Sequence, residues 1–254
     1  MIVTTSNILL GQTPTVSNGA NPTFDPASVT DPDFSTAYTA SQNDRLTFDF
    51  GATQSISYVA FAGINIAGNK DFTSRCRVRD GDTIIATTFI QRNNCVVVSF
   101  AERTFSNLRV GLRNGAEDLP PSVSFIAAGA YFTVPNSGEV SGYNRQFLNR
   151  NRKTKSSLND LAAPTSYLTK KVVAKGVLNL PNMTREFSEN EWQTFLDFSD
   201  ENYFFIREQD PVGDTTQNNS AYLCFEPSGI KVTAHAQTRE LNNVSIAFKV
   251  FNGL

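Results

Sequence analysis

Along residues 45–52, RLTFDFGA, the apolar positions Leu46, Phe48 and Phe50 alternate with Thr47 and Asp49, the period of two that a half-buried strand produces. The next segment, SISYVAFAGINI (55–66), is apolar almost throughout, as a strand covered on both faces requires. RCRVRDGDTIIATTFI (75–90) sets Asp80-Gly81-Asp82 between two strand-like runs and reads as a hairpin. NCVVVSF (94–100), NLRVGL (107–112) and VSFIAAGAYFTV (123–134) complete at least six strands separated by turn-forming residues. This pattern predicts a β-sandwich over residues 1–134.

VPNSGEVSG (134–142) is rich in turn formers and poor in large apolar residues, which marks a boundary. Strand character returns in APTSYLTKKVVAKGVLNLP (163–181), NYFFIRE (202–208), AYLCFE (221–226), GIKVTAHA (229–236) and NNVSIAFKVF (242–251). Among these strands lies FSENEWQTFLDFSDE (187–201), whose spacing predicts a helix near 189–199. Ser188 is placed to cap it, Glu191 to close a capping box, and Phe187 with Trp192 to form a hydrophobic staple. Trp192, Phe195 and Leu196 share one face, and so short a helix must lie on a sheet to persist. The expected organisation is all-β, with two separately cored sandwiches at 1–134 and 161–254, the second small and carrying one short helix. Residues 135–160 link them.

Charge adds a feature that the hydrophobic pattern does not show. Residues 1–134 hold 9 basic and 11 acidic side chains, 135–155 hold 5 and 1, and 156–254 hold 8 and 12. The linker stretch YNRQFLNRNRKTKSSLND (143–160) is thus a basic connector between two acidic bodies. Its aromatics are Tyr143 and Phe147 alone, too few to interleave with bases, and the acidic flanks repel a polyanion; no nucleic-acid partner is expected. Phe147 and Leu148 make too small an apolar face for membrane insertion. The plain alternative is a solvated loop; the functional one is a docking arm. In that reading Arg145, Arg150, Arg152, Lys153 and Lys155, anchored by Phe147 and Leu148, meet an acidic neighbouring subunit.

Candidate chemistry is sparse. Cys76, Cys95 and Cys224 are odd in number and widely spaced, which fits neither a disulfide framework nor a zinc site, and Cys224 reads as a small buried residue. His235 is the only histidine and falls on the polar face of its strand. No nucleophile elbow, phosphate-binding loop, dinucleotide fingerprint or metalloprotease motif occurs. The carboxylate pairs Asp31/Asp33, Asp80/Asp82 and Asp210/Asp214 stand among turn residues, where Asp is favoured for its backbone hydrogen bonds. The expectation is a protein that is not an enzyme and uses no cofactor. MIVTTSNILLG lacks a basic leader region and no run approaches the ~20 apolar residues of a membrane helix, so synthesis in a cytoplasm is expected.

Two resemblances follow from these strands. SNILLGQTPTVS, then DPDFSTAYTASQNDRLTFDFGATQSISYVAFAGINI, then TFSNLRVGL and SVSFIAAGAYF come in the order seen in galactose-binding-like sandwiches of the discoidin and coagulation-factor C type. Asp31, Ser35, Thr36, Tyr38, Phe48, Phe50, Gly51, Val59 and Gly63 match the family pattern. The resemblance implies a jelly-roll sandwich with ligand loops at one end, glycan as ligand, Tyr38 at the position usually held by Trp, and calcium near Asp31 and Asp33. The acid that the family usually adds from its final strand has no counterpart in SVSFIAAGAYF. The second half, through VVAKGVLNLP, SENEWQTFLDFSDENYFFIREQDP, AYLCFEPSGIKVT and LNNVSIAFKVFN, resembles β-sandwich proteins of bacteriophage tail tips and baseplates. That resemblance implies a structural subunit of the virion tail that forms rings with its own copies and with other tail proteins. A module for host-surface glycan is the alternative reading.

Overall fold

The computed structural model describes residues 1–17, 25–31, 33, 36–39, 45–64, 75–89, 95–113, 121–135, 152–158, 164–171, 174–208, 221–234 and 240–251. The first half contributes β1 (Ile2–Thr4), β2 (Thr15–Ser17), β3 (Tyr38–Thr39), β4 (Arg45–Ala62), β5 (Arg75–Asp80) and β6 (Thr83–Phe89). It continues with β7 (Val96–Arg113), β8 (Ser122–Val123), β9 (Phe125–Gly129) and β10 (Tyr131–Thr133). The second half holds β11 (Arg152–Leu158), β12 (Pro164–Lys171), β13 (Ala174–Thr184), β14 (Phe204–Arg207), β15 (Ala221–Ala234) and β16 (Leu241–Phe251). Among the described residues the molecule is an all-β sandwich assembly with one α-helical segment and a short 3-10 turn at Pro26–Val29, the class that the alternation predicts.

The runs 45–52 and 55–66 were expected as two strands, and so were 94–100 and 107–112. Each pair is one strand of 18 residues, β4 and β7, antiparallel over its length. Both bend where the register shifts between Asp49 and Gln54 and again between Ile56 and Tyr58, with Gly51 in a left-handed conformation at the corner. The bent pair belongs to one six-stranded sheet: one arm forms a five-stranded layer ordered β2-β4-β7-β5-β6, and the other arm pairs with β9. Two layers thus face each other across a core that includes Leu46, Phe48, Val59, Phe61, Val78 and Val110. The hairpin at Asp80-Gly81-Asp82 forms as expected, joining β5 to β6 through Gly81 at φ +56°.

The first half has a core of its own, and a shared sheet and a further core join the two halves. β1 and β10, from the ends of the first half, join a six-stranded sheet ordered β10-β1-β14-β15-β16-β13. The β4/β7/β9 sheet is apolar on both faces: Val59 and Phe61 point to the first core, while Tyr58, Ala60 and Ala62 point away from it. The outward set meets Ile2, Phe205, Ala221 and Leu223 in a middle core, where Phe125 and Phe205 stack at 6.3 Å. Thr4 Oγ1 accepts from the Phe205 amide at 2.8 Å, and Arg207 donates to Val97 O and Ser99 Oγ. A sheet that is apolar on both sides needs cover on both sides, so the boundary expected near residue 134 is crossed by hydrogen bonds and by a core.

Beyond the six-stranded sheet lies the helical segment, α over Arg185–Phe187, a π turn over Ser188–Trp192 and α again over Gln193–Ser199. The N-cap is Thr184 rather than Ser188: Thr184 Oγ1 accepts from the Phe187 amide at 3.1 Å. Thr184 ends β13, and the Arg185 amide bonds to Glu240 O, so the sheet dictates where the helix begins. Ser188 is inside the helix and returns its hydroxyl to Thr184 O, while Glu191 faces solvent. Phe187, Trp192, Phe195 and Leu196 are buried together against Phe132, Phe204 and Phe248.

Gly63 ends β4 at φ +63°, and a Cβ there would lie 2.7 Å from Ser124 Cβ. Gly63→Ala is therefore expected to destabilise the protein by about 1–3 kcal/mol, from left-handed backbone and overlap together. Urea denaturation followed by circular dichroism measures this, and a neutral outcome contradicts the close approach.

Candidate functional site

The outer face of the five-stranded sheet is set by alternation in three strands. In RCRVR, Cys76 and Val78 enter the core, which sends Arg75, Arg77 and Arg79 outward. In β7 Leu108, Val110 and Leu112 point inward and Arg109, Gly111 and Arg113 outward; in β4 Leu46 points inward and Arg45 outward. The register then aligns these residues across strands. Arg113 lies opposite Arg75; Arg45, Gly111 and Arg77 form the next row; Thr47, Arg109 and Arg79 form the third. Six arginines thus share one face of a half that is net negative.

One carboxylate serves them among the described residues. Asp82 Oδ1 lies 3.4 Å from Arg45 Nη1 and 3.2 Å from Arg109 Nη1, and Asp82 O accepts from Arg79 at 2.9 Å. Arg75 Nε and Arg77 Nε are buried with no acceptor among the described residues. Burial first, and then the Arg113 charge, holds the Arg75 guanidinium below its ordinary value. Arg77 is lowered by burial, then by Arg75, Arg113 and Arg45; Arg79 by burial, then by Arg45 and Arg77, with Asp82 acting in the opposite sense. All remain cationic at neutral pH. Crowded cations on a rigid sheet, with fixed donor geometry, have the chemistry to hydrogen-bond oxyanions.

The same register defines one end of the sheet. Ser17 ends β2 beside Arg45, which begins β4; Arg113 ends β7 beside Arg75, which begins β5; Phe89 ends β6 opposite Arg75. In the sequence these strand ends adjoin residues 18–24, 40–44, 65–74, 90–94 and 114–120, which lie outside the described residues. Together they contain eight asparagines and two glutamines.

The residues singled out from sequence are placed as follows. Tyr38 pairs with Val123 and has no exposed surface; as part of the first core it offers a sugar no platform. Asp31 and Asp33 are exposed, and Asp31 Oδ1 accepts from the Asp33 amide at 3.1 Å, an Asx turn. Among the described residues no group of three or more His, Cys, Asp or Glu is placed to hold a metal ion. Arg145, Phe147, Leu148, Arg150, His235, Asp210 and Asp214 lie outside the described residues. Arg152, Lys153 and Lys155 belong to β11, which pairs with β12 in a separate two-stranded sheet, with Arg152 opposite Lys171 and Lys153 opposite Lys170. The three cysteines are free and buried; burial pushes Cys95 up to about 12 and Cys76 and Cys224 well above the ordinary thiol value. The arginine face was missed because RCRVR and NLRVGLR were read only as strands. The signal was there: a base at every second position of a strand places the bases on one face.

No protein-family profile matches this chain, and no curated protein does. Among solved structures it is similar to chitosan-binding module 1 of a chitosanase/glucanase from Paenibacillus sp. IK-5, at 18% identity over 49% of this chain and 99% of that one, with a TM-score of 0.40. It is similar to a fucose-binding module of Streptococcus pneumoniae, at 15% identity over 49% of this chain and 95% of that one, with a TM-score of 0.37. A third is a Clostridium perfringens module in complex with GalNAc-β-1,3-galactose, at 12% identity over 47% of this chain and 96% of that one, with a TM-score of 0.38. These neighbours are carbohydrate-binding modules, and each covers about half of this chain.

Proposed function

We propose that this chain is a non-catalytic glycan-binding protein that engages surface polysaccharide through the loop-bearing end of its N-terminal sandwich. One observation carries the reading: β2, β4, β5, β6 and β7 each have a terminus at one end of a rigid sheet, and the sequence adjoining those termini holds ten side-chain amides. An amide offers a donor and an acceptor on one plane, which suits vicinal hydroxyls, and loops held by a stiff sheet are where sandwiches present ligands. Titration of the protein with a glycan panel that includes chitosan oligomers and fucosides is expected to give saturable binding. Asn43→Ala with Asn114→Ala, on the segments beside β4 and β7, is expected to weaken it by about tenfold, the loss of one or two hydrogen bonds. Absence of saturable binding across neutral and acidic glycans would overturn the reading.

A second reading, a structural subunit of a bacteriophage tail tip or baseplate assembled with its own copies and other tail proteins, draws on a different feature. β13 ends the six-stranded sheet and pairs only with β16 among the described residues, so its outer edge suits strand addition by a neighbour. Here the basic segment around β11 guides docking. Arg152→Glu, Lys153→Glu and Lys155→Glu together are expected to leave a folded monomer where the parent forms closed oligomers. Negative-stain microscopy separates these outcomes, and unchanged assembly defeats the docking role. The two readings are compatible, since a virion protein can carry a glycan-binding domain.

A further inference from the structure

Taking the chain as a glycan-binding protein, we propose that the outer face of its five-stranded sheet is a second site, specific for an acidic polysaccharide whose carboxylate or sulfate groups are held by Arg75, Arg77 and Arg113. This site deepens the glycan reading by naming the charge class of the ligand, and it lies on the sheet surface rather than among the loops.

Four features argue for it. The register brings Arg75, Arg77 and Arg113 side by side, and none has a carboxylate partner among the described residues. Mutual repulsion of this kind is relieved by a bound anion. Second, Arg75 Nε and Arg77 Nε are buried donors with no acceptor among the described residues, groups for which an oxyanion supplies the missing bond. Third, Gly111 stands between Arg45 and Arg77 in the second row, so no side chain rises between them. Two strand spacings, about 9.6 Å, separate their backbones, a trough that admits an extended chain. Fourth, Ser17, Thr47 and Thr87 continue the rows outward and suit sugar hydroxyls, with exposed Ile84 opposite Arg79 offering an apolar contact to a ring face. Nucleic acid is the less suited polyanion. Among the described residues no aromatic stands between these arginines to stack a base.

The test compares neutral dextran, dextran sulfate, polygalacturonate and duplex DNA as ligands of the full chain, by calorimetry at low and physiological salt. Binding of dextran sulfate, polygalacturonate or both, but not dextran, is expected, and the preferred polymer identifies the oxyanion. Affinity is expected to fall with salt, and Arg75→Gln with Arg77→Gln to reduce it by about tenfold or more. Arg103→Gln, exposed at the bend of β7, is expected to leave it unchanged. Asp82→Asn removes the carboxylate that pairs with Arg45 and Arg109 and is expected to tighten binding by about threefold, a gain that misfolding cannot produce. If acidic polymers do not bind while a neutral glycan does, this site is refuted and the loop-end reading stands; if no glycan binds, both fail. Equal loss in Arg103→Gln, or DNA bound as tightly as dextran sulfate, would overturn the assignment.

Discussion

Trp192→Ala is expected to lower the unfolding free energy by about 3–5 kcal/mol, among the largest single effects available in this chain. The indole is fully buried, and its ring centroid lies 5.2 Å from that of Phe195. Phe195 in turn meets Phe132 at 6.1 Å and Phe204 at 5.0 Å, so the cavity opens in the middle of a ring network that ties the helix to the sheet. A segment of this length has little helical stability of its own, and losing its largest anchor frees the whole element. Trp192→Phe separates volume from polarity. Trp192 Nε1 is buried without an acceptor, so phenylalanine removes an unsatisfied donor along with some volume and is expected to cost about half as much or less. Urea titration by far-ultraviolet circular dichroism measures both. A loss below ~1 kcal/mol for the alanine variant contradicts the described packing.

Phe205→Ala is expected to cost a similar ~3–5 kcal/mol, and its thermal signature tests the architecture. Phe205 belongs to the second half but stacks on Phe125 of the first, with an interplanar angle of 7°. Because the middle core is shared, the variant is expected to melt in one cooperative transition, about 6–20 °C below the parent. Two transitions, with only the later half of the chain destabilised, would mean that the halves fold around separate cores. Scanning calorimetry distinguishes the outcomes directly.

Much of this architecture was legible in the residues. SISYVAFAGINI is apolar at nearly every position, and the structure covers β4 on both faces there. DGD became the β5–β6 turn because Gly81 accepts a positive φ. Cys224, read as a small buried residue, lies in the core beside Tyr222 and Phe204. The helix cap was misplaced by one turn, since Ser188 and Thr184 are both competent caps and the choice depends on where β13 ends. In the candidate site, the arginines of β5 and β7 were visible as alternating bases. Their convergence with Arg45 was not, because it depends on a register between strands 30 or more residues apart.

The sequence by itself determined the all-β class, the inward and outward faces of most strands, and the presence of one helix, because side-chain alternation and turn chemistry act over a few neighbouring residues. Only the tertiary structure decided that the halves share a sheet and a middle core, that two pairs of expected strands are single bent ones, and that six arginines meet on one surface. Those outcomes depend on which apolar faces find each other and in what register, and burial of apolar area is indifferent to sequence distance.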